Sequence, residues 1–198
     1  MDDQVTGGSG LDWLVAPDPG GPAPAPLRVG PALTRSALEA MRAEGLVVRV
    51  VGDVYLPTPL AGWAAARAEA LRSAMPREAT VCLLAAAWVH GVDVDPEPVD
   101  VVVSRAGARW RMPDWVRERE RSVSPADVVV VHGVSVTTRS RTAADVARSC
   151  PRSVARPVVA ALLATGVAVD DVLASIDRER RWPGANRARA LLRELAGP

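Results

Sequence analysis

The sequence predicts an α+β protein: an N-terminal winged helix-turn-helix followed by a small, mostly antiparallel sheet with several packing helices. Three observations predict it. Residues 27–57 read LRVGPALTRSALEAMRAEGLVVRVVGDVYLP, a short amphipathic helix running into two β-prone runs joined by Gly52-Asp53. Between residues 99 and 138, short valine-rich runs alternate with turns. From Thr138 onward the apolar residues return to helical spacing.

Residues 1–26 come first. The run PDPGGPAPAP has too little to bury and reads as a disordered or extended tail, with Leu11, Trp13, Leu14 and Val15 as a short anchoring turn inside it. In the next stretch Thr34 or Ser36 is placed to cap a helix whose apolar face is Ala37, Leu38, Met41 and Leu46. Gly45 sits where a left-handed residue stops it. A helix rich in Ala and Arg follows over 60–75, with Trp63, Ala66, Ala70 and Leu71 on one side, and Pro76 ends it. The nearly all-apolar segment 79–89 is long and Ala-rich for a strand, so it predicts a buried helix capped by Thr80 and stopped at His90-Gly91.

The β-prone runs 99–104, 115–122, 128–131 and 134–138 supply the sheet, with a basic turn at 105–109 and a turn at His132-Gly133. Helices are then expected from Thr138 to near Cys150-Pro151, over 153–165, over 169–178 and over 185–195. Gly166 separates the second from the third, whose start carries Asp170 and Asp171. The fourth, which carries Arg187, Arg189 and Arg193, follows a basic patch of Arg178, Arg180 and Arg181.

Composition excludes several chemistries. All 24 basic residues are arginine, so no Walker lysine, Schiff-base lysine or lysine-dependent nuclease motif exists. An arginine-only basic set favours bidentate contacts to phosphate or guanine. No run of about 18 apolar residues occurs and the N-terminus lacks a signal pattern, so the expectation is a cytoplasmic chain with no membrane partner. Cys82 and Cys150 have no metal spacing and read as buried free thiols.

His90 and His132 lack a Ser or Cys partner at a recognisable spacing, and His90 is placed to cap carbonyls at a helix end. The acidic run Asp93, Asp95, Glu97, Asp100 is broken by prolines and reads as a solvated loop rather than a metal site. The expectation is therefore no enzyme, no catalytic residue, no metal and no cofactor. Arg28, Arg35, Arg42 and Arg49 stand against Glu39, Glu44 and Asp53, a weakly basic balance for a phosphate-binding surface, and the net charge of the chain is +1.

Three motifs in order carry a resemblance: the helix followed by LVVRVVGDVYLP, then LLAAAWVHGV over 83–92, then VSVTTRSRTAADVARSCP over 134–151. Together they resemble the AbiEi-like antitoxin and transcriptional-regulator family of type IV toxin–antitoxin systems, in its actinobacterial form and without the nuclease-like C-terminal extension. The resemblance implies a winged helix over 27–60 that binds operator DNA near its own promoter. It implies an α/β antitoxin-type domain over 61–198, ending in helices, that acts against a nucleotidyltransferase-like toxin.

Carried onto this chain, the DNA-contact candidates are Thr34, Arg35, Ser36 and Arg42 on the helix, with Arg28 and Arg49 toward phosphate. Arg35 is first choice for a base edge. In the third motif Arg141 and Asp145 stand four apart and pair, Thr142 caps, and Arg139 reaches the acidic loop 95–100, all in a structural role. The alternative to the DNA-binding antitoxin is a protein-interaction module, toxin-neutralising or scaffolding, that no longer binds DNA.

Overall fold

A computed structural model describes residues 25–73, 75–76, 78–103, 113–120, 122–179 and 182–197. Residues 1–24 of the proposed tail, with its anchoring turn, the basic turn 105–109, and Arg180 and Arg181 lie outside those residues.

The N-terminal part is a three-stranded antiparallel sheet with one helix laid on it. Strand β1 (Leu27–Arg28) leads to helix α1 (Arg35–Ala43), then β2 (Val47–Val51) and β3 (Val54–Pro57), in the sheet order β1-β3-β2. Thr34 is the N-cap, its hydroxyl accepting the Ala37 amide at 3.2 Å. At the other end Gly45 takes φ +74°, its amide donates to Arg42, and the Leu46 amide donates to Met41. That is the Schellman pattern, which satisfies the last carbonyls of α1.

Leu38 is the one residue of α1 that is fully buried, and it packs with Val47 and Tyr55. The β2–β3 hairpin turns at Gly52 with φ +49°, and its register slips between Arg49 and Val51, which makes a bulge beside the turn. Among the described residues α1 is the only helix ahead of the hairpin, so these residues show one helix and a hairpin rather than a complete helix-turn-helix.

A 3-10 turn (Thr58–Leu60) leads into α2 (Ala64–Arg72), shorter than expected. The segment 79–89 is not one helix. It is strand β4 (Ala79–Val81) followed by α3 (Leu83–Val89), with a left-handed residue, Leu83 at φ +55°, at the joint. Both elements are buried on all sides, so hydrophobicity alone gave no period to separate them. Thr80 therefore caps nothing and pairs with Val102 and Ser135 in mid-sheet.

The larger sheet adds β5 (Val99–Val103), β6 (Val116–Glu118), β7 (Val128–Val131) and β8 (Val134–Thr137), ordered β6-β5-β4-β8-β7. It is mixed rather than mostly antiparallel. The β4–β5 and β7–β8 pairs are antiparallel, while β4–β8 and β5–β6 are parallel. Parallel neighbours need a crossover, and α3 with β5 and β6 supplies it between β4 and β8. The β7–β8 turn has His132 at φ +45° and Gly133 at φ +79°, a two-residue turn of the primed type.

Four helices close the chain: α4 (Arg139–Ser149), α5 (Arg152–Ala164), α6 (Val169–Arg178) and α7 (Ala185–Ala196). The two faces of the sheet feed two cores. Val81, Val99, Val101, Val134 and Val136 join α2 and hairpin residues Val50, Val51, Val54 and Leu56. Val102 and Cys82 join α3 and the C-terminal helices through Ala143, Val146, Val159, Leu162, Ile176 and Leu192. The N-terminal hairpin thus shares its apolar core with the larger sheet. Trp115 closes the junction by lying against Gly52, where a Cβ would overlap the indole.

Candidate functional site

Strand β1, helix α1 with its cap and the β2–β3 hairpin place the six expected DNA-contact residues within one N-terminal unit, Arg28 on β1 and Arg49 on β2. Thr34 and Ser36 share a hydrogen bond at the start of α1, 3.1 Å between hydroxyls. Arg35 follows in the first turn and Arg42 lies in the last. The arginines are exposed, but each already holds a partner. Arg35 pairs with Asp53 at the hairpin turn, the two side chains 59% and 56% exposed. Arg42 donates to Glu39 at 2.8 Å, Arg28 to Ser73 at 3.0 Å, and Arg49 to the Gly52 carbonyl at 3.3 Å while pairing with Glu97.

Glu39 also accepts the Tyr55 hydroxyl at 2.7 Å. That bond first, then Arg42, holds the Glu39 carboxyl below its ordinary range, while burial and the same bond raise the Tyr55 phenol. The Asp53 and Glu97 contacts are exposed or half-exposed ion pairs, the kind that exchange readily for another anion.

The third motif is a charged junction inside the fold. Arg141 is 1% exposed, with Nε 2.9 Å from Asp145 and Nη1 2.7 Å from Asp127. Its guanidinium stacks over Trp182 at 4.8 Å, and Glu179 stands 3.9 Å away. Arg178 takes the other oxygen of Asp127 at 2.6 Å. The junction ties the turn before β7 to α4, α6 and the start of the segment before α7.

Thr142 is not a cap. Its hydroxyl bonds the Thr137 hydroxyl at 2.7 Å, and Thr138 caps α4 through the Arg141 amide. Arg139 does not reach the acidic loop. It lines a cleft of about 420 Å³ with His90, Val129, Val131, Thr138 and Asp171, and makes no ion pair among the described residues. The loop is held by other arginines: Asp100 accepts Arg117 and Arg119 at 2.6 Å each, and Glu97 takes Arg49.

Two features gave no signal in the sequence. Arg67 sits within the Ala-rich α2, yet it is buried, stacks over Trp88 at 5.0 Å and donates to the carbonyls of Ala61, Trp88 and Val92. Asp127 precedes a valine run and reads as an ordinary turn residue, but it is the shared acceptor of Arg141 and Arg178. Helical spacing reveals Asp145 because it lies one turn from Arg141. Nothing local reveals Asp127, 14 residues away.

The remaining reactive groups are quiet. His90 Nε2 lies 2.7 Å from the Thr137 carbonyl. Burial, helped by Arg139, lowers its pKa, so the neutral ring donates that bond. Burial first, and Asp100 next, raises the Cys150 thiol, which disfavours a thiolate; Cys82 is buried. No described helix is long and apolar enough to cross a membrane.

Exposed charge on a docked helix and hairpin, together with buried charge that locks helices to a mixed sheet, defines an α+β protein whose polar groups hold and present surfaces. Residues 79–194, from β4 into the last turns of α7, match the family model of the AbiEi antitoxin C-terminal domain. The chain belongs to that family, one of antitoxins that act in toxin–antitoxin systems. Two of the three motifs, over 83–92 and 134–151, fall inside the matched residues, while α1 and its hairpin precede them. A comparison with curated proteins finds no match.

Proposed function

We propose that this antitoxin-family chain is a DNA-binding transcriptional autoregulator of a type IV toxin–antitoxin system. In this reading α1 enters the major groove of operator DNA near its own promoter, and the β2–β3 hairpin lies beside it as the wing. Arg35, Thr34 and Ser36 face base edges, Arg42 serves the helix, and Arg28 and Arg49 hold phosphates. Residues 61–198 carry the antitoxin role, against a nucleotidyltransferase-like toxin.

The observation that supports it best is the placing of exposed Arg35 and Arg49 around one hairpin turn, beside the capped first turn of α1. Their exposed carboxylate partners, Asp53 and Glu97, are exchangeable for phosphate. Fluorescence anisotropy on the chain's own upstream DNA and on a scrambled duplex, across a salt series, tests it. Tight binding to the first alone, weakening steeply with salt, is the expected result; equal weak binding to both rejects it.

A second reading has its own support. The four arginines of this region already have partners: Ser73, Asp53, Glu39 and Glu97. A surface so neutralised fits a protein-interaction module that no longer binds DNA. Co-purification with the product of the adjacent gene, without DNA binding, would favour it.

A further inference from the structure

Strand β7 is one of the two edges of the five-stranded sheet, opposite β6, and its four residues are all valine. Edge strands are usually blunted by charge, proline or a covering element. β7 has neither charge nor proline, Val129 is exposed, and Val130 is 70% exposed. Among the described residues no strand pairs with its outer side.

The hairpin fixes which amides face outward. Across a two-residue turn the flanking residues, Val131 and Val134, exchange both backbone bonds, so Val129 and Val131 spend their amides on β8. The Asp127 carbonyl, which accepts the Thr138 amide at 2.8 Å, continues the same alternation. Val128 and Val130 therefore direct N–H and C=O away from the sheet. The side chains alternate as well: Val129 and Val131 line the 420 Å³ cleft with His90, Thr138 and Arg139, and Val130 stands on the other face.

We propose that β7 is a self-association edge, at which a second copy of this chain adds its own β7 antiparallel across a two-fold axis. The axis is normal to the sheet, so it sets Val130 against Val130 of the second copy. Their outward amides then exchange two hydrogen bonds, and the five strands of each copy join one sheet.

Charge favours a second copy over a partner of one sign. The strand itself is uncharged, and the cleft beside it carries one residue of each sign, Arg139 and Asp171, so the patch does not repel its own image. A closed two-fold pair also uses up the β7 edge of both copies at once. Four residues of strand bury less than the 1,200 Å² or so of a stable standard interface, so the pair forms reversibly with concentration. The inference does not depend on DNA binding.

Sedimentation equilibrium of the full chain, up to about 100 µM, tests it together with Val130→Arg and Val130→Asp. Val130 is mostly in solvent, and unchanged far-UV circular dichroism checks that both variants fold. The expected result is a concentration-dependent dimer for the native chain, at least about tenfold weaker association for each variant alone, and restored association in their equimolar mixture, where opposite charges meet. A native chain that stays monomeric overturns the proposal. So does a dimer that neither substitution weakens, or a mixture that fails to re-associate. A monomer whose Val130 amide is protected from hydrogen exchange also overturns it, because the edge is then covered from within the chain.

Discussion

Arg141 and Asp127 meet in the interior, Nη1 to Oδ2 at 2.7 Å, with both side chains almost wholly out of water. Asp127 ends the 3-10 turn before β7, and Arg141 lies in the first turns of α4, so this pair fastens the edge hairpin to the helical half. Asp145 and Trp182 complete the surroundings of the guanidinium.

Removing one partner of such a pair leaves the other buried and uncompensated. Arg141→Ala is expected to cost about 3–5 kcal/mol of stability, read as a lower urea midpoint. Arg141→Lys is expected to recover little, because an ammonium cannot serve Asp127 and Asp145 with the planar fork. A loss below about 1 kcal/mol for the alanine variant would show that the junction is not a determinant of stability.

His90 gives the fold a pH dependence. Its folded pKa lies below the ordinary value of 6.5 because burial disfavours the imidazolium, with Arg139 adding to the effect. Below 6.5 the unfolded chain takes up a proton that the folded chain refuses. The His90 contribution is therefore complete above 6.5 and is lost as pH falls from there through the folded pKa. Urea midpoints should drop on acidification below 6.5, and His90→Gln should flatten that drop. An equal drop in the variant would assign the dependence to other groups.

Gly184 begins α7 at φ +87°, and a Cβ there would stand 2.5 Å from the Arg148 carbonyl oxygen. Both the left-handed backbone and the backbone neighbour oppose a side chain. Gly184→Ala is expected to destabilise by about 1–3 kcal/mol and to loosen α7 from α4. Thermal unfolding and hydrogen exchange at Leu191 and Leu192, buried on α7, would report it.

The proposed DNA reading has a test in the acidic partners. Asp53→Asn releases Arg35 and removes a negative charge from the hairpin turn, so operator affinity should rise and its salt dependence should steepen. Arg35→Ala should lower affinity by about tenfold, in line with loss of one base contact. Anisotropy titrations on one duplex compare all three chains. If Asp53→Asn leaves binding unchanged, Arg35 is not at the interface.

The sequence makes the local features legible. Thr34, Gly45 and the His132-Gly133 turn announce α1 and the β7–β8 hairpin because caps and turns are set by neighbouring residues. The i,i+4 pair Arg141–Asp145 is legible for the same reason. What it hides is non-local. β4 and α3 merge into one apolar run because both are enclosed, and only the partners Val102 and Ser135 reveal Thr80 as a strand residue. The parallel pairing of β4 with β8 joins segments more than fifty residues apart, a relation that no period can show. At the candidate site, the positions of Arg35 and Arg49 were readable as surface arginines, but their neutralisation by Asp53 and Glu97 depends on how the hairpin docks.

That docking has a mechanical consequence. Trp115 lies over Gly52, and Val50, Val51, Val54 and Leu56 share their core with the five-stranded sheet. For α1 to turn relative to the five-stranded sheet, the hairpin beneath it would have to leave that shared core. In a pair of copies joined at β7, the distance and angle between the two α1 helices would then be a property of the rigid frame rather than of any linker. Shortening or lengthening the chain ahead of residue 25 would leave that spacing unaltered.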